Sequence, residues 1–233
     1  MKDTNVYCDK GSFGIHIKNS DNIVFENVGV YSAKNVNIEI ENTDNVIIDN
    51  CSGYYAGRGH SDISHGICYR ITDTVNSLVK NSKCYEAQHS GFTYRNAENS
   101  SFVNNLAHNT TKGNNMYLID GCSKIKVSFN NLSFAAWSNI IIADSDDSVI
   151  YNNNLRNAGI SGIFLDNAFD NKIYENIIEN SKDKPIYKKS SQNNQIKDNV
   201  MEKQTSGIFL IAISMTILFL IIVLIILKKK QKI

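Results

Sequence analysis

The chain has 233 residues, 42% of them hydrophobic, and a formal net charge of +1, which suits one folded domain with a substantial core. A balance this near neutral offers no basic face to neutralise phosphates, so no nucleic-acid partner is expected. A single proline among many asparagines excludes a Pro-rich linker or stalk.

Residues 1–13 read as a partial lead-in. "MKDTNVYCDKGSFG" contains no apolar h-region of a signal peptide. It enters a repeated pattern almost at once, with no capping element ahead of it. An uncapped solenoid exposes its core and sheet edges. The expectation is therefore a chain shortened at its amino end and originally exported, open at its first coil to end-to-end stacking, rather than a tail-anchored cytosolic protein.

The repeat occupies residues 14–203. The segments "GIHIKNS", "NIEIENT", "GICYRIT", "GFTYRNA", "NMYLIDG", "NIIIADS", "GIFLDNA" and "PIYKKSS" follow one another at spacings of 23, 29, 25, 24, 24, 23 and 23 residues. Each alternates apolar and polar positions, the signature of a strand with one face buried. The expected inward pairs are Ile15/Ile17, Ile38/Ile40, Ile67/Tyr69, Phe92/Tyr94, Met116/Leu118, Ile140/Ile142 and Ile163/Leu165, with Lys188 taking the second inward place where the core opens. A second column, Asn27, Asn50, Asn81, Asn105, Asn130, Asn153, Asn176 and Asn199, has an apolar residue three places earlier in every unit: Val24, Ile47, Leu78, Phe102, Val127, Ile150, Ile173 and Ile196. These asparagines read as structural, because asparagine tolerates left-handed backbone and its amide can bond the amide one rung away. The fold class is all-β: a right-handed, single-stranded parallel β-helix of about eight coils, each rising about 4.8 Å, giving a rod on the order of 38 Å.

Five cysteines, Cys8, Cys51, Cys68, Cys84 and Cys122, are scattered through it without CxxC spacing. That makes a poor disulfide framework and a poor zinc site, and they read as small semi-buried residues. No cofactor is expected.

Units such as "GIFLDNAFDNKIYEN" resemble the parallel β-helix repeats of the pectate-lyase superfamily, more narrowly the NosD-like and CASH (carbohydrate-binding and sugar-hydrolase) repeat proteins. The resemblance covers roughly residues 14–200 and speaks to fold more than to chemistry.

The longest unit carries its excess in "GYYAGRGHSDISH", between Cys51 and Gly66. Insertions in solenoids map to loops, often on the binding face. His65 just precedes one strand and His89 precedes the next, so the two should stand about one rung apart, with His60 and Asp62 in the loop beside them. Arg70 and Arg95 are expected at the same outward offset in adjacent coils, with Glu41 one coil earlier. Two stacked guanidinium groups would then clamp Glu41 or the carboxylate of a uronic-acid sugar. The resemblance extends to polyuronate lyases and mannuronan epimerases, which take the proton beside a sugar carboxylate. On that reading His60, His65 or His89 is the base and Arg70 and Arg95 hold the carboxylate. The segment departs from the epimerase Asp-Pro-His-Asp motif: Arg58-Gly59 replaces Asp-Pro, and Ser61 separates His60 from Asp62. A metal reading gathers His60, Asp62, His65 and His89, and the NosD-like resemblance implies copper; HxDxxH on a loop lacks the fixed geometry of a helical site. In the plainest reading the histidines cap strand entrances and the loop is solvated.

From Gln204 to Leu227 there is no charged residue, and "GIFLIAISMTILFLIIVLIIL" is followed by the basic "KKKQKI". The run is long enough to cross a bilayer core of about 30 Å as a helix, and the flank suits the cytoplasmic side. The expected organisation is a β-helix over 14–203, a transmembrane helix over 204–227 and a cytoplasmic tail over 228–233. The functional expectation is a cell-surface, carbohydrate-binding or adhesin-like protein. Tyr117, Phe164 and Tyr187 face outward beside Asn-rich turns to stack on and hydrogen-bond sugars. The alternatives are a polyuronate lyase or epimerase and a metal-binding protein.

Overall fold

Three strands and four sharp turns make one coil, and the coil repeats. In the seventh, Ser161–Asp166 lies in an eight-stranded sheet, while Lys172–Tyr174 and Ile177–Glu179 lie in the two halves of a sixteen-stranded one. The halves are joined through the long strand Val24–Tyr31, onto which Lys2–Tyr7 also pairs. All pairings among the described residues are parallel. This is the expected parallel β-solenoid of about eight coils. The structure, a computed structural model, describes residues 1–8, 11–58 and 65–202, and Met1–Glu202 form one unit. The expected membrane run at 204–227, the tail beyond it, His60 and Asp62 lie outside the described residues. Among the described residues no helix is long and apolar enough to cross a membrane.

The core is four apolar columns, two from the eight-stranded sheet and one from each half of the sixteen-stranded sheet. The eight-stranded sheet contributes pairs such as Ile38/Ile40, Phe92/Tyr94, Met116/Leu118 and Ile163/Leu165; the sixteen-stranded sheet contributes Phe25, Ile48, Val79, Phe102, Val127 and Ile150 from one half, and Leu132, Leu155 and Ile178 from the other, all buried. The two core tyrosines keep their hydroxyls bonded, as burial demands: Tyr69 donates to Lys83 O (3.0 Å), and Tyr94 lies 3.2 Å from the carbonyls of Ser77 and Ser101. Lys188 stands in the inward column opposite Leu165 and is exposed, as expected where the core opens.

The asparagine content follows from the turns. Among the described residues, the 32 non-glycine positions with positive φ fall into four columns, one at each turn. One runs Asn19, Asn42, Asp73, Asn96, Asp120, Asp144, Asn167 and Ser190; another runs Asn27, Asn50, Asn81, Asn104, Phe129, Asn152, Glu175 and Asp198. Asn and Asp adopt this left-handed region at least cost. Stacked amides also bond from coil to coil, as Asn50 Nδ2 does to Asn27 Oδ1 (2.7 Å) and Asn104 Nδ2 to Asn81 Oδ1 (2.8 Å).

Register corrects the sequence reading in three places. First, Ile38 and Ile40 pair with Tyr69 and Ile71, not with Ile67 and Tyr69. The insertion is therefore larger, with a separation of 31 residues between equivalent positions, and the next coil keeps 23. Second, the asparagine column is two adjacent columns. Asn27, Asn50 and Asn81 have positive φ and lie at the surface, whereas Asn105, Asn130, Asn153, Asn176 and Asn199 occupy the next position, equivalent to Val28, Cys51 and Ser82. Asn104-Asn105 and Asn152-Asn153 fill both columns, so an alignment slips between them without losing a match. The same slip turned Val24 and Ile47 outward (49% and 38% exposed), while their neighbours Phe25 and Ile48 are buried. A one-residue shift exchanges the two faces of a strand.

Third, Cys68 and Cys84 are joined as a disulfide, with Cα atoms 5.9 Å apart. Cys68 belongs to a corner column that also holds Gly14, Gly91 and Gly162. A Cβ at Gly162 would come within 2.3 Å of Ile178, which faces it from the sixteen-stranded sheet. In the third coil both members of that facing pair are cysteine. The remaining three, Cys8, Cys51 and Cys122, are free, the last two buried.

Candidate functional site

The outward face of the eight-stranded sheet carries two main columns. The first reads His16, Glu39, Arg70, Thr93, Tyr117, Ile141, Phe164 and Tyr187; the second reads Lys18, Glu41, Thr72, Arg95, Ile119, Ala143, Asp166 and Lys189. Arg70 and Arg95 are thus in different columns, contrary to the sequence expectation, because the third coil aligns two residues further on. Arg70 stands beside Glu39, and Arg95 beside Thr72, with Glu41 beyond it.

Each guanidinium has a carboxylate of its own. Arg70 Nε lies 2.8 Å from both carboxylate oxygens of Glu39, and Nη2 lies 2.8 Å from Oε2. Glu39 is fully buried. Burial pushes its carboxyl above the ordinary value, and the Arg70 contact only partly opposes this. A buried, bidentate pair of this kind is costly to break from one side, so Arg70 is a structural cation rather than a free clamp. Arg95 Nε contacts Asp120 Oδ2 at 2.6 Å, but both side chains are about half exposed. Exposed pairs contribute about 0–1 kcal/mol, so an incoming anion can exchange with Asp120.

Glu41 does not meet either arginine. It contacts Lys18 Nζ (3.0 Å) and His16 Nε2 (3.4 Å), and the Lys18 contact chiefly holds its carboxyl below the ordinary value. Tyr117 lies on the same face, half-buried; burial, then Asp120, Asp166 and Asp144, raise its phenol.

The inserted loop leaves and returns at one corner. Gly57 N–H donates to Ala33 O and Gly66 N–H to Asn35 O, each at 2.8 Å. Both glycines have positive φ, and a Cβ on Gly57 would come within 2.5 Å of Gly66 Cα. Only glycine permits feet this close. Arg58 lies over the Tyr55 ring, 4.9 Å from its centroid. Of the four residues of the histidine expectation the described residues include two: Ile67 pairs with Ser90 and His89 N–H donates to Gly66 O (2.9 Å), so His65 and His89 lie on adjacent rungs at the same sheet edge, offset by one residue. Both are half-buried.

The face therefore offers an exchangeable cation at Arg95, the hydroxyls of Thr72 and Tyr117, aromatic surface at Tyr117, Phe164 and Tyr187, and two imidazoles at one edge. Sequence reasoning missed Glu39, Lys18, Thr93 and Asp120. Glu39 is visible in "NIEIEN" as an outward position, but only the register places it beside Arg70.

Known structures share the architecture. A crystal structure of the periplasmic alginate epimerase AlgG superposes with a TM-score of 0.68 at 13% identity, over 81% of this chain and 47% of that one. A variant of AlgG gives 0.69 at 17% identity, over 84% and 51%. The A-module of the Azotobacter vinelandii mannuronan C-5 epimerase AlgE6 gives 0.53 at 11%, over 78% and 64%. The chain thus spans about half the length of AlgG, and at these identities the likeness is one of fold. No curated protein matches the sequence. A family model described as "Periplasmic copper-binding protein (NosD)" matches residues 63–220, more than half of the chain and most of its coils. The chain belongs to the NosD family of parallel β-helix proteins.

Proposed function

We propose that this chain is a membrane-anchored, extracytoplasmic β-helix that binds polysaccharide along the outward face of its eight-stranded sheet. The observation that carries the reading is the strip itself. The second column opens on charged and hydroxyl groups (Lys18, Glu41, Thr72, Arg95), and the first, beside it, turns to Tyr117, Phe164 and Tyr187 in the later coils. Rungs repeating at about 4.8 Å present these groups in a line, which suits a linear polymer with apolar ring faces and hydroxyl edges. The names of the structural neighbours, alginate and mannuronan epimerases, agree with a polysaccharide ligand. The Cys68–Cys84 disulfide supports an oxidising compartment, and the apolar run 204–227 with its lysine flank supports an anchor with the tail in the cytoplasm. Stacking between first coils of two copies belongs to the same proposal.

A lyase or epimerase is the second reading, favoured by the placing of His65 and His89 at one edge of the sheet that bears Arg95. The copper named in the family description finds two adjacent imidazoles, which suit that metal. Among the described residues, however, no group of three or more His, Cys, Asp or Glu could hold a metal ion. The described residues do not by themselves make a copper site, and no step is derived through copper.

The test uses the full-length chain in detergent with a panel of polyuronides and neutral glycans, following binding, unsaturated-product absorbance and epimer content. A passive platform predicts saturable binding, weakened at least tenfold by Arg95→Ala with Tyr117→Ala, and no turnover. Turnover that disappears in His65→Ala/His89→Ala would replace this reading with the enzymatic one. Binding unchanged by the Arg95 and Tyr117 substitutions would remove the strip from the account.

A further inference from the structure

The fifth coil puts phenylalanine into two of the left-handed turn columns, positions filled mostly by Asn and Asp. The column Ser32, Tyr55, Glu86, Asn109, Phe134, Asn157 and Asn180 has positive φ throughout, with Phe134 at +55°. The neighbouring column has Phe129 at +58°. A bulky residue in this region is an outlier that costs conformational energy. Neither ring repays the fold by burial, since Phe129 is 54% and Phe134 51% exposed. Nor can a phenyl ring continue the amide ladders that it interrupts. Three residues after Phe134 stands Trp137, the only tryptophan of the chain, 42% exposed, with Ile160 one coil further at 38%.

The polar surroundings of Phe134 point to the ligand. Asn109 and Asn157 stand one rung to either side in the same column. The Asn109 amide bonds no side chain among the described residues, and Asn157 keeps only the bond accepted from Asn180. Two rungs separate them by about 9.6 Å, a span covered by a pyranose ring with a hydrogen bond of about 2.8 Å at each end. Phe134 also lies at the end of an aromatic stack. Tyr7, Tyr31, Tyr54 and Tyr85 lie nearly parallel, with centroids 4.7–5.4 Å apart, so their faces are covered by one another. At His108 and Phe134 the rings turn, the last pair meeting at 69°. No side chain among Phe134, Trp137, Ile160, Asn109 and Asn157 is charged.

We infer that this corner of the fifth coil is a stacking site for a neutral hexose or N-acetylhexosamine unit of a glycan, separate from the strip on the eight-stranded sheet. A sugar's apolar face covers Phe134 and Trp137, and its hydroxyls occupy the two amides that the phenyl ring keeps apart. A second protein surface would cover the same rings but would bury those amides against groups that must bond them.

The lone tryptophan reads the site directly. The full-length chain in detergent is titrated with cello-, manno- and chito-oligosaccharides while Trp137 emission is followed. At least one series should give a saturable change. Phe134→Asn, which places at this left-handed position the residue found one rung to either side and leaves thermal stability unchanged or higher, should weaken it at least tenfold. Arg95→Ala with Tyr117→Ala should leave it intact, so failure of the strip and failure of this site are distinguishable. The inference is overturned by an emission that no neutral oligosaccharide moves. It is equally overturned by a change that survives Phe134→Asn, or by emission that responds only to protein concentration or to added lipid vesicles.

Discussion

The buried asparagine ladder gives the sharpest test of how this fold is held together. Asn153 is 1% exposed. Its Nδ2 donates to Val127 O, Tyr151 O and Asn176 Oδ1 at 2.9–3.0 Å, and its Oδ1 accepts from Asn130 N–H (3.0 Å) and Asn130 Nδ2 (2.9 Å). In Asn153→Ala, Asn130 Nδ2 keeps Phe102 O, and Asn176 Oδ1 keeps the Asn153 backbone N–H. The Asn130 backbone N–H is left buried without a partner. An orphaned buried donor costs about 1–3 kcal/mol and each lost neutral bond about 1 kcal/mol, so a total of about 4 kcal/mol is expected. The adjacent Asn152→Ala changes only a turn position at φ +53° and should cost about 1–2 kcal/mol, the penalty of left-handed backbone without an asparagine. Urea unfolding of residues 1–202, followed by circular dichroism, measures both. A loss below 1 kcal/mol for Asn153→Ala, or a larger loss for Asn152→Ala, would refute the assignment of structural weight to the buried column.

Three further expectations follow from the same structure. Replacing Cys68 and Cys84 together by alanine opens a loop closed over a sequence separation of 16, which should cost about 3 kcal/mol; identical urea curves with and without reductant would count against the bridge. The register predicts that Phe25→Ala, fully buried, loses about 3–5 kcal/mol, while Val24→Thr on the opposite face changes stability by less than about 0.5 kcal/mol; the reverse order would restore the slipped alignment. Glu39 makes a pH prediction. Its carboxyl is held above the ordinary value of 4.5, so its contribution is fully present below that pH and is lost as pH rises through the raised value. Glu41, held low by Lys18, acts in the opposite sense and at lower pH, its contribution being lost as pH falls. The stability of wild type relative to Glu39→Gln should therefore decline as pH rises above about 4.5, and a difference that is flat or rising there would contradict the burial argument.

The sequence by itself determined the architecture. Apolar alternation recurring at a nearly constant period can be buried only by stacking each unit on the next, so period and periodicity together specify a parallel solenoid, its coil number and its inward pairs in all but one unit. It also marked the insertion near Gly66 and the shared edge of His65 and His89. Pairing across coils was decided only by the tertiary structure, because a strand's side-chain period is two and neighbouring positions of similar residue type score alike in a linear alignment. The Asn-Asn steps hid a one-residue slip, and the insertion that closes the second coil hid a two-residue one. The second slip placed Arg70 with Arg95 on paper, whereas in space it meets Glu39. The Cys68–Cys84 bridge was hidden for a related reason: it joins two columns that face each other across a corner, a distance that sequence separation does not encode. The exposed rings of Phe129 and Phe134 became legible only once their columns were in place, because a phenylalanine is conspicuous only where left-handed backbone favours asparagine.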